Sequence, residues 1–148
     1  MQITDCSKEY LKEICALEKQ CFKEYWNENM LTEEAESPFN IIKTAVESDG
    51  SVSGYIIIKR VFEEAEILRI CVLEKERRRG IAEKLLKSAI EESITHGVNR
   101  FFLEVRISNA AASALYKKCG FQLLDIRKRY YRDGEDAAIY YFDADDGK

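Results

Sequence analysis

The sequence predicts a mixed α+β fold, with one largely antiparallel sheet of about seven strands and helices on both of its faces. Two observations lead to this prediction. In chain order, strand-like and helix-like segments follow one another as β-α-α-β-β-β-α-β-α-β-β, so a meander precedes an alternating half. The 148 residues, 46% hydrophobic and 34% charged, are also enough for a real core. We expect a single domain, residues 1–148, with a frayed acidic tail at 143–148.

The first half of the chain predicts one strand, two helical segments and a three-stranded meander. Pro38 ends the helical region because proline cannot continue a helix. The Ser48-Asp49-Gly50-Ser51 segment is typical of a tight turn between strands. The predicted elements are a strand at Met1–Thr4, helices at Ser7–Phe22 and Asn27–Ala35, and strands at Ile41–Glu47, Gly54–Arg60 and Glu66–Val72.

The second half predicts two helices that alternate with strands. The first helix has an apolar stripe and ends at His96-Gly97, since glycine readily adopts the left-handed conformation that ends helices. The second helix begins after a capping Ser108 or Asn109 and ends at Gly120. The stripe consists of Leu85, Leu86, Ala89, Ile90 and Ile94, the helices are Ala82–Thr95 and Asn109–Lys118, and the strands are Arg100–Arg106, Phe121–Arg127 and Ala137–Phe142.

An arginine-rich turn, Arg77-Arg78-Arg79-Gly80-Ile81-Ala82, precedes the first of these two helices. Three cations at a helix start oppose the helix dipole, so we expect an anionic ligand such as phosphate or pyrophosphate on this end. The turn lacks a Gly-Lys-Ser/Thr and the further glycines of a dinucleotide fingerprint, so a different kind of pyrophosphate site is needed. The alternative is a solvated arginine run before a tight turn.

Charge and cysteine content limit the partners and the compartment. The net charge of -4 argues against a general nucleic-acid binder, and no apolar stretch approaches the ~20 residues that a membrane span needs. The five cysteines have no CxxC spacing, so we expect reduced thiols and a cytoplasmic protein. We expect a monomer or a weak dimer. The cysteines are Cys6, Cys15, Cys21, Cys71 and Cys119.

The Arg77-x-x-Gly80-x-Ala82 pattern resembles the Gln/Arg-x-x-Gly-x-Gly/Ala signature of the GNAT acetyltransferases. Further segments resemble the RimI-type protein N-terminal acetyltransferases, and the resemblance covers nearly the whole chain. These segments are Leu103-Glu104-Val105-Arg106, Ser108-Asn109-Ala110-Ala111-Ala112, Ala114-Leu115-Tyr116, Gly120-Phe121, Tyr130-Tyr131 and Asp133-Gly134-Glu135-Asp136-Ala137. The resemblance implies a GNAT fold and an acetyl-CoA-dependent N-acetyltransferase that uses no metal.

The resemblance also implies where acetyl-CoA binds. The pyrophosphate would lie on the turn and helix start, and the pantetheine arm would run alongside Ile70, Cys71 and Val72 as an added strand, near Asn109. The alternative is that residues 70–72 form only a buried strand. Covalent catalysis by Cys71 is disfavoured because the only histidine, His96, lies at a helix end. The implied pyrophosphate residues are Arg77, Arg78, Arg79, Gly80, Ile81, Ala82 and Glu83.

Two residues are candidates for acid–base chemistry. Glu104 is a carboxylate inside an otherwise apolar strand, and burying a charge there is costly without a partner or a function. By resemblance it is the general base, acting through a water; the alternative is an ion pair with Arg106 or Arg69. Tyr116 follows Asn109 by seven residues, so the two share a helix face. By resemblance Tyr116 protonates the departing thiolate; alternatively, it only packs and Asn109 only caps the helix.

Proton chemistry and resemblance together point to the acceptor. An α-amine titrates near ~8 and lysine near ~10.4, so a modest base suffices for a protein N-terminus. Tyr130, Tyr131 and Trp26 resemble residues that hold or admit the peptide, and the resemblance implies the N-terminal alanine of a ribosomal protein as acceptor. The Cys21–Asn27 segment departs from that pattern, because it lacks the proline before Trp26 and the serine after it. Alternatives are a core position for the tyrosine pair, a small amine or lysine as acceptor, and a non-enzymatic acyl-CoA-binding module.

Overall fold

The computed structural model describes residues 1–145, in which seven strands and four α-helices follow one another in the predicted order. None of the described helices is long and apolar enough to cross a membrane. The strands are β1 Gln2–Asp5, β2 Asn40–Val46, β3 Val52–Val61, β4 Glu64–Val72, β5 Arg100–Arg106, β6 Gln122–Arg127 and β7 Ala137–Asp143, and the helices are α1 Leu11–Cys21, α2 Glu28–Glu36, α3 Ile81–Thr95 and α4 Ala110–Lys118.

The C-terminal end of the described chain is tied to the sheet. Asp143 is the last residue of β7, and the Ala144 N–H donates to the Asn99 carbonyl oxygen at 2.8 Å. Ordered structure therefore extends into the segment that was expected to fray. The remainder of that predicted tail, residues 146–148, lies outside the described residues.

All seven described strands belong to one sheet with the order β1-β2-β3-β4-β5-β7-β6. Strands β2, β3 and β4 form the predicted antiparallel meander, β1 pairs antiparallel with β2, and β4 and β5 pair in parallel. A parallel pair requires a crossover connection, and α3 supplies it. The mixed, largely antiparallel sheet with helices on both faces is thus confirmed.

The parallel pair is short. Residues 64–67 of β4 pair with residues 100–103 of β5, and the two strands no longer pair beyond Ile67 and Leu103. At the same point β4 contains a bulge, since Ile67 and Arg69 oppose consecutive residues of β3 and leave Leu68 between them. The second half of β4 therefore has β3 on one side and a gap toward β5 on the other.

The larger core lies between the sheet and helices α3 and α4. Four residues of the predicted α3 stripe are buried there, whereas Ile94 is 41% exposed and the adjacent Ser93 is the residue buried in the last turn. The sheet contributes fully or nearly fully buried residues from its central strands. These are Ile56, Ile58, Ile67, Phe101 and Leu103.

The smaller core lies on the opposite face, under α1 and α2. Ile14 and Leu17 of α1 and Leu31 of α2 pack on Tyr55 and Ile57 of β3. This core also contains the side chain of Cys71.

The expectation of reduced thiols is wrong for two of the five cysteines. Cys21, the last residue of α1, and Cys71 of β4 form a disulfide with a Cα–Cα distance of 6.3 Å, while Cys6, Cys15 and Cys119 are free. The two partners are 50 residues apart in the chain. Only the packing of α1 on β4 brings them together, so no local spacing could indicate the bond.

Gly54 of β3 allows close packing of three elements. A Cβ atom at this position would meet the Cys71 carbonyl oxygen at 2.8 Å and the Leu85 side chain at 3.2 Å. We expect Gly54→Ala to lower the free energy of unfolding by about 2 kcal/mol through overpacking. Gly97→Ala is the control, since Gly97 has φ 90 with open space around it and should lose only about 1 kcal/mol of conformational energy. Urea unfolding measures both, and an equal or smaller loss for Gly54→Ala would contradict the prediction.

Candidate active site

A cavity of about 300 Å³ occupies the gap between the diverging strands β4 and β5. Helix α4 closes it on one side, and the loop between α1 and α2 closes it on another. Among the predicted site residues, the cavity brings together Ile70, Glu104, Asn109, Tyr116 and Tyr131. Its other lining residues include Phe22, Lys23, Glu24, Leu68, Arg69 and Ala112.

The arginine-rich turn leaves the start of α3 open to an anion. Gly80 is the N-cap residue with φ 76, and no side chain caps the first amides of the helix. Arg77 donates to the Val72 carbonyl oxygen at 3.2 Å, and Arg79 forms ion pairs with Glu76 and, at 2.9 Å, with Glu47. Acidic neighbours thus offset part of the cation run, and the backbone N–H groups of α3 are the more direct anion donors.

Glu83 and Ala82 take different positions in the first turn of α3. The Glu83 carboxylate pairs with Lys87 at 2.9 Å and with Lys118 of α4 at 3.0 Å. Its side chain therefore links α3 to α4, which leaves its backbone as the group available to a ligand. Ala82 has helical backbone, which accepts the methyl group of alanine without strain, and it packs against the larger core.

Residues 70–72 of β4 present alternating side chains and one continuous backbone edge. Ile70 lines the cavity, Cys71 is buried in the smaller core as part of the disulfide, and Val72 is buried in the larger core. A ligand in the gap can contact the side chain of Ile70 but only the backbone of Cys71 and Val72. The bond to Cys21 also removes the free thiol that a nucleophilic Cys71 would need.

Glu104 lies where β5 enters the cavity, with 26% of its side chain exposed. Glu104 does form an ion pair with an arginine, as the alternative expected, but the partner is Arg127 of β6 at 3.4 Å and not Arg106 or Arg69. A second cavity of about 530 Å³, open along the sheet face, also reaches Glu104. Glu66 lines that cavity, where partial desolvation first and the charge of Glu104 second raise the pKa of Glu66. Glu104 thus stands between the two cavities.

Tyr116 and Asn109 both line the smaller cavity, as their spacing predicts. Asn109 is the N-cap of α4 and accepts a hydrogen bond from the Ala112 N–H at 3.1 Å. Tyr116 is 4% exposed, and its ring packs against Phe121 and Tyr140. Burial raises the pKa of Tyr116, so the phenol stays protonated at neutral pH and can act as a proton donor.

The rings of the two tyrosines after β6 pack edge to face with their centroids 5.2 Å apart, and Tyr130 is not among the residues that line the cavity. Tyr131 lines the cavity and lies under the guanidinium of Arg106 at 4.0 Å. Tyr130 is 45% exposed, and a hydrogen bond with Glu104 raises the pKa of Tyr130. The alternative that this pair belongs to the core is therefore wrong.

Trp26 stands behind the cavity wall rather than on it. The loop residues that line the cavity are Cys21, Phe22, Lys23 and Glu24, whereas Trp26 packs against the smaller core. The backbone N–H of Trp26 donates a hydrogen bond to the Glu18 carboxylate at 2.9 Å.

Two charged residues that contact this loop, Glu18 and the cavity-lining Arg69, are absent from the predicted site. Glu18 lies on the buried stripe of α1 with Ile14 and Leu17, and Arg69 lies in the apolar strand β4. The available signal was a charge in an apolar setting, since Glu18 shares a helix face with Ile14 and Arg69 follows Ile67-Leu68 in β4. Neither sequence position alone shows that the two charges meet.

The site combines a carboxylate between two cavities, a protonated buried phenol, an open helix N-terminus and an unpaired strand edge. These groups can bind an anionic cosubstrate, remove a proton from an incoming nucleophile and protonate a leaving group. Within residues 1–145 no group of three or more His, Cys, Asp and Glu side chains is placed to hold a metal ion.

Known proteins resemble the chain in sequence and in structure. Residues 11–121 match the acetyltransferase (GNAT) family. A Bacillus subtilis protein provisionally named ribosomal protein bS18-alanine N-acetyltransferase is 36% identical over 90% of this chain and 89% of its own length. The Salmonella typhimurium protein of that name is 41% identical over 62% of this chain and 64% of its own length. The crystal structure of the ribosomal-protein-S18-alanine N-acetyltransferase from Escherichia coli superposes with a TM-score of 0.88 at 30% identity, covering 97% of this chain and 93% of that one.

Ion pairs hold the segment after β6 and predict acid lability. Arg106 donates to Asp133 at 2.8 Å and to Glu135 at 3.0 Å. The Glu135 N–H and then Arg106 lower the pKa of Asp133, while Ser108 and then Arg106 lower the pKa of Glu135. Because folding lowers these values, the stabilisation is complete above the unfolded carboxyl pKa of about 4 and disappears as the pH falls through the folded values.

We therefore expect Arg106→Met to lower the urea unfolding midpoint at pH 7, with a loss that shrinks toward about pH 3. Lys117→Met, on the exposed side of α4, is the control and should show no such pH dependence. Urea titrations at a series of pH values measure the difference from wild type. A loss for Arg106→Met that stays constant over this range would show that the carboxylates do not depend on Arg106.

Proposed function

The chain belongs to the acetyltransferase (GNAT) family, and on that premise we propose that it transfers acetyl from acetyl-CoA to the α-amino group of a protein N-terminus. The natural acceptor in this proposal is the N-terminal alanine of a ribosomal protein. The placement of Glu104, Tyr116 and Tyr131 around one cavity between β4 and β5 is the main support. Relatives with the same fold that are named as ribosomal-protein alanine N-acetyltransferases support the acceptor class.

The described residues fit acetyl-CoA as cosubstrate. The uncapped amides of α3 suit the pyrophosphate, and a Cβ at Gly80 would meet no atom within 4 Å, so the turn has open space in front of it. The backbone edge of residues 70–72 suits the amide groups of the pantetheine arm. Asn109 and Ile70 then flank the arm where it enters the cavity.

Glu104 and Tyr116 divide the proton transfers in this proposal. Glu104, through a water, takes a proton from the ammonium form of the acceptor, and the neutral amine attacks the thioester carbonyl. The C–S bond breaks as the amide forms, and the nitrogen releases its second proton to solvent. Tyr116 supplies a proton to the thiolate that leaves and regains one from solvent. The thiolate is already a passable leaving group, so we assign more of the rate to orientation than to this acid.

The acceptor enters between two segments, the α1–α2 loop and the segment that follows β6. Tyr131 and Tyr130 stand on one side of the mouth, and Phe22 stands on the other. In the proposal the tyrosines hold the peptide backbone while Trp26 supports the opposite wall from behind. The reaction takes place in the cytoplasm, with the protein as a monomer or a weak dimer.

Acceptor class is tested by CoA release from acetyl-CoA with three amines. A peptide with a free N-terminal alanine should be acetylated. An N-terminally blocked peptide that contains lysine should not be acetylated, and neither should spermidine. About a tenth of an α-amine is neutral at pH 7, against under a thousandth of a lysine side chain. Turnover with lysine or spermidine alone would replace the acceptor and keep the fold. Acetyl-CoA binding without turnover of any free N-terminus would favour a binding module.

Glu104→Gln tests the base. It should lower kcat by about 10²-fold at neutral pH and leave the affinity for acetyl-CoA unchanged, because the amide cannot accept the proton. Glu63→Gln, in the exposed β3–β4 turn, is the control carboxylate. An unaltered kcat in Glu104→Gln would remove this residue from the mechanism.

Gly80→Glu is the reciprocal variant and should abolish acetyl-CoA binding in calorimetry, since a carboxylate would meet the pyrophosphate.

A further inference from the structure

We propose that Arg69 is a positioning residue for the acceptor: its guanidinium, clamped between Phe22 and Trp26, holds the α1–α2 loop as one wall of the cavity. This inference rests on the proposed transfer to a peptide. The loop comprises residues 22–27, between the end of α1 and the start of α2.

Arg69 contacts the loop at three points. The guanidinium lies 4.4 Å from the ring centroid of Phe22 and 4.4 Å from that of Trp26. Its Nη2 donates to the Glu24 carbonyl oxygen at 2.9 Å. One planar cation thus joins two aromatic rings and a backbone carbonyl, which a flexible ammonium group cannot do in the same way.

Glu18 holds the cation in place from behind. Its side chain is fully buried and pairs with the Arg69 Nε at 3.3 Å. The same carboxylate accepts hydrogen bonds from the Trp26 N–H and from the Tyr55 hydroxyl. Burial raises the pKa of Tyr55, which keeps this donor protonated. Since Glu18 has three partners, removing the cation alone leaves a buried charge that is only partly compensated.

The bulge in β4 aims Arg69 at the loop. Ala65 and Ile67, before the bulge, pack in the larger core, and simple alternation would send Arg69 to that same face. The extra residue Leu68 reverses the alternation, so Arg69 and Cys71 face α1 instead. Cys71, two residues after Arg69 in β4, forms the disulfide with Cys21 and so fixes the end of α1 to the same strand.

The position of the loop sets the width of the acceptor entrance. Phe22 and Glu24 line the cavity, and Tyr131 lies across from them. Direct recognition of an acceptor anion by Arg69 is disfavoured, because only 19% of its side chain is exposed and Glu18 already neutralises it. Arg69 therefore acts through the loop that it holds.

Four variants separate this positioning role from simple stability. Arg69→Met removes the cation, and Arg69→Lys keeps the charge without the planar fork. Glu18→Gln with Arg69→Met also removes the stranded buried charge. Arg60→Met is the matched control, because Arg60 is a half-buried strand arginine that donates to the Pro38 carbonyl oxygen of another loop. All measurements omit reductant, so that the Cys21–Cys71 bond is the same in every variant.

The readouts are the melting temperature, the KM values for peptide and acetyl-CoA, and acrylamide quenching of the single tryptophan, Trp26. Arg69→Met should lower the melting temperature, raise the peptide KM by about tenfold and increase quenching, with the acetyl-CoA KM within about twofold of wild type. The double variant should regain most of the melting temperature and keep the raised KM and quenching. Arg69→Lys should fall between wild type and Arg69→Met, and Arg60→Met should change neither KM nor quenching.

Recovery of both the melting temperature and the peptide KM in the double variant would overturn the proposal, because the role of Arg69 would then be structural only. Unchanged quenching in Arg69→Met would overturn it as well. Absence of peptide turnover by the wild type would count against the proposed acceptor instead. The quenching comparison would still decide whether Arg69 holds the loop.

Discussion

The separation of β4 from β5 after Ile67 and Leu103 is the constraint on which the rest of the site depends. A gap in the middle of a sheet exposes backbone groups that would otherwise pair, and it admits a ligand between strands whose outer partners keep them rigid. β3 holds β4 along its full length, and β7 holds β5 as far as Arg106. Glu104 can therefore reach the cavity from a regular strand instead of a mobile loop.

The same gap makes the helix start at Gly80 useful. α3 begins just past the end of β4, so its free amides stand at the end of the exposed strand edge. In the proposal, the arm of the cosubstrate runs from this helix start along β4 to the cavity that contains Glu104 and Tyr116. In the same proposal, cosubstrate binding uses mostly backbone groups and the proton transfers use two side chains. The two functions are thus separable by substitution.

Local sequence was sufficient for most elements and insufficient for the contacts between them. The strand Arg100–Arg106 was predicted with the bounds that it has, because apolar periodicity is a local property. The partner of Glu104 was not, since Arg127 comes from a strand 23 residues away and competes with nearer arginines. The bulge at Leu68 could not be predicted from the sequence either, and it determines which face of the sheet Arg69 and Cys71 are on. Pairings that depend on sheet register cannot be read from spacing alone.

The proposed acid and base are held by core packing, whereas the two segments around the proposed acceptor entrance are held by individual side chains. This difference bears on acceptor choice. The proposed acid and base belong to α4 and β5, which pack on the larger core. The proposed acceptor entrance lies between the α1–α2 loop and the segment after β6, where Lys23 pairs with Asp133 at 3.4 Å. Both segments are held by side-chain ties to the sheet, through Arg69 and Arg106. Substitutions in these segments can change the acceptor while the groups that transfer the acetyl stay in place.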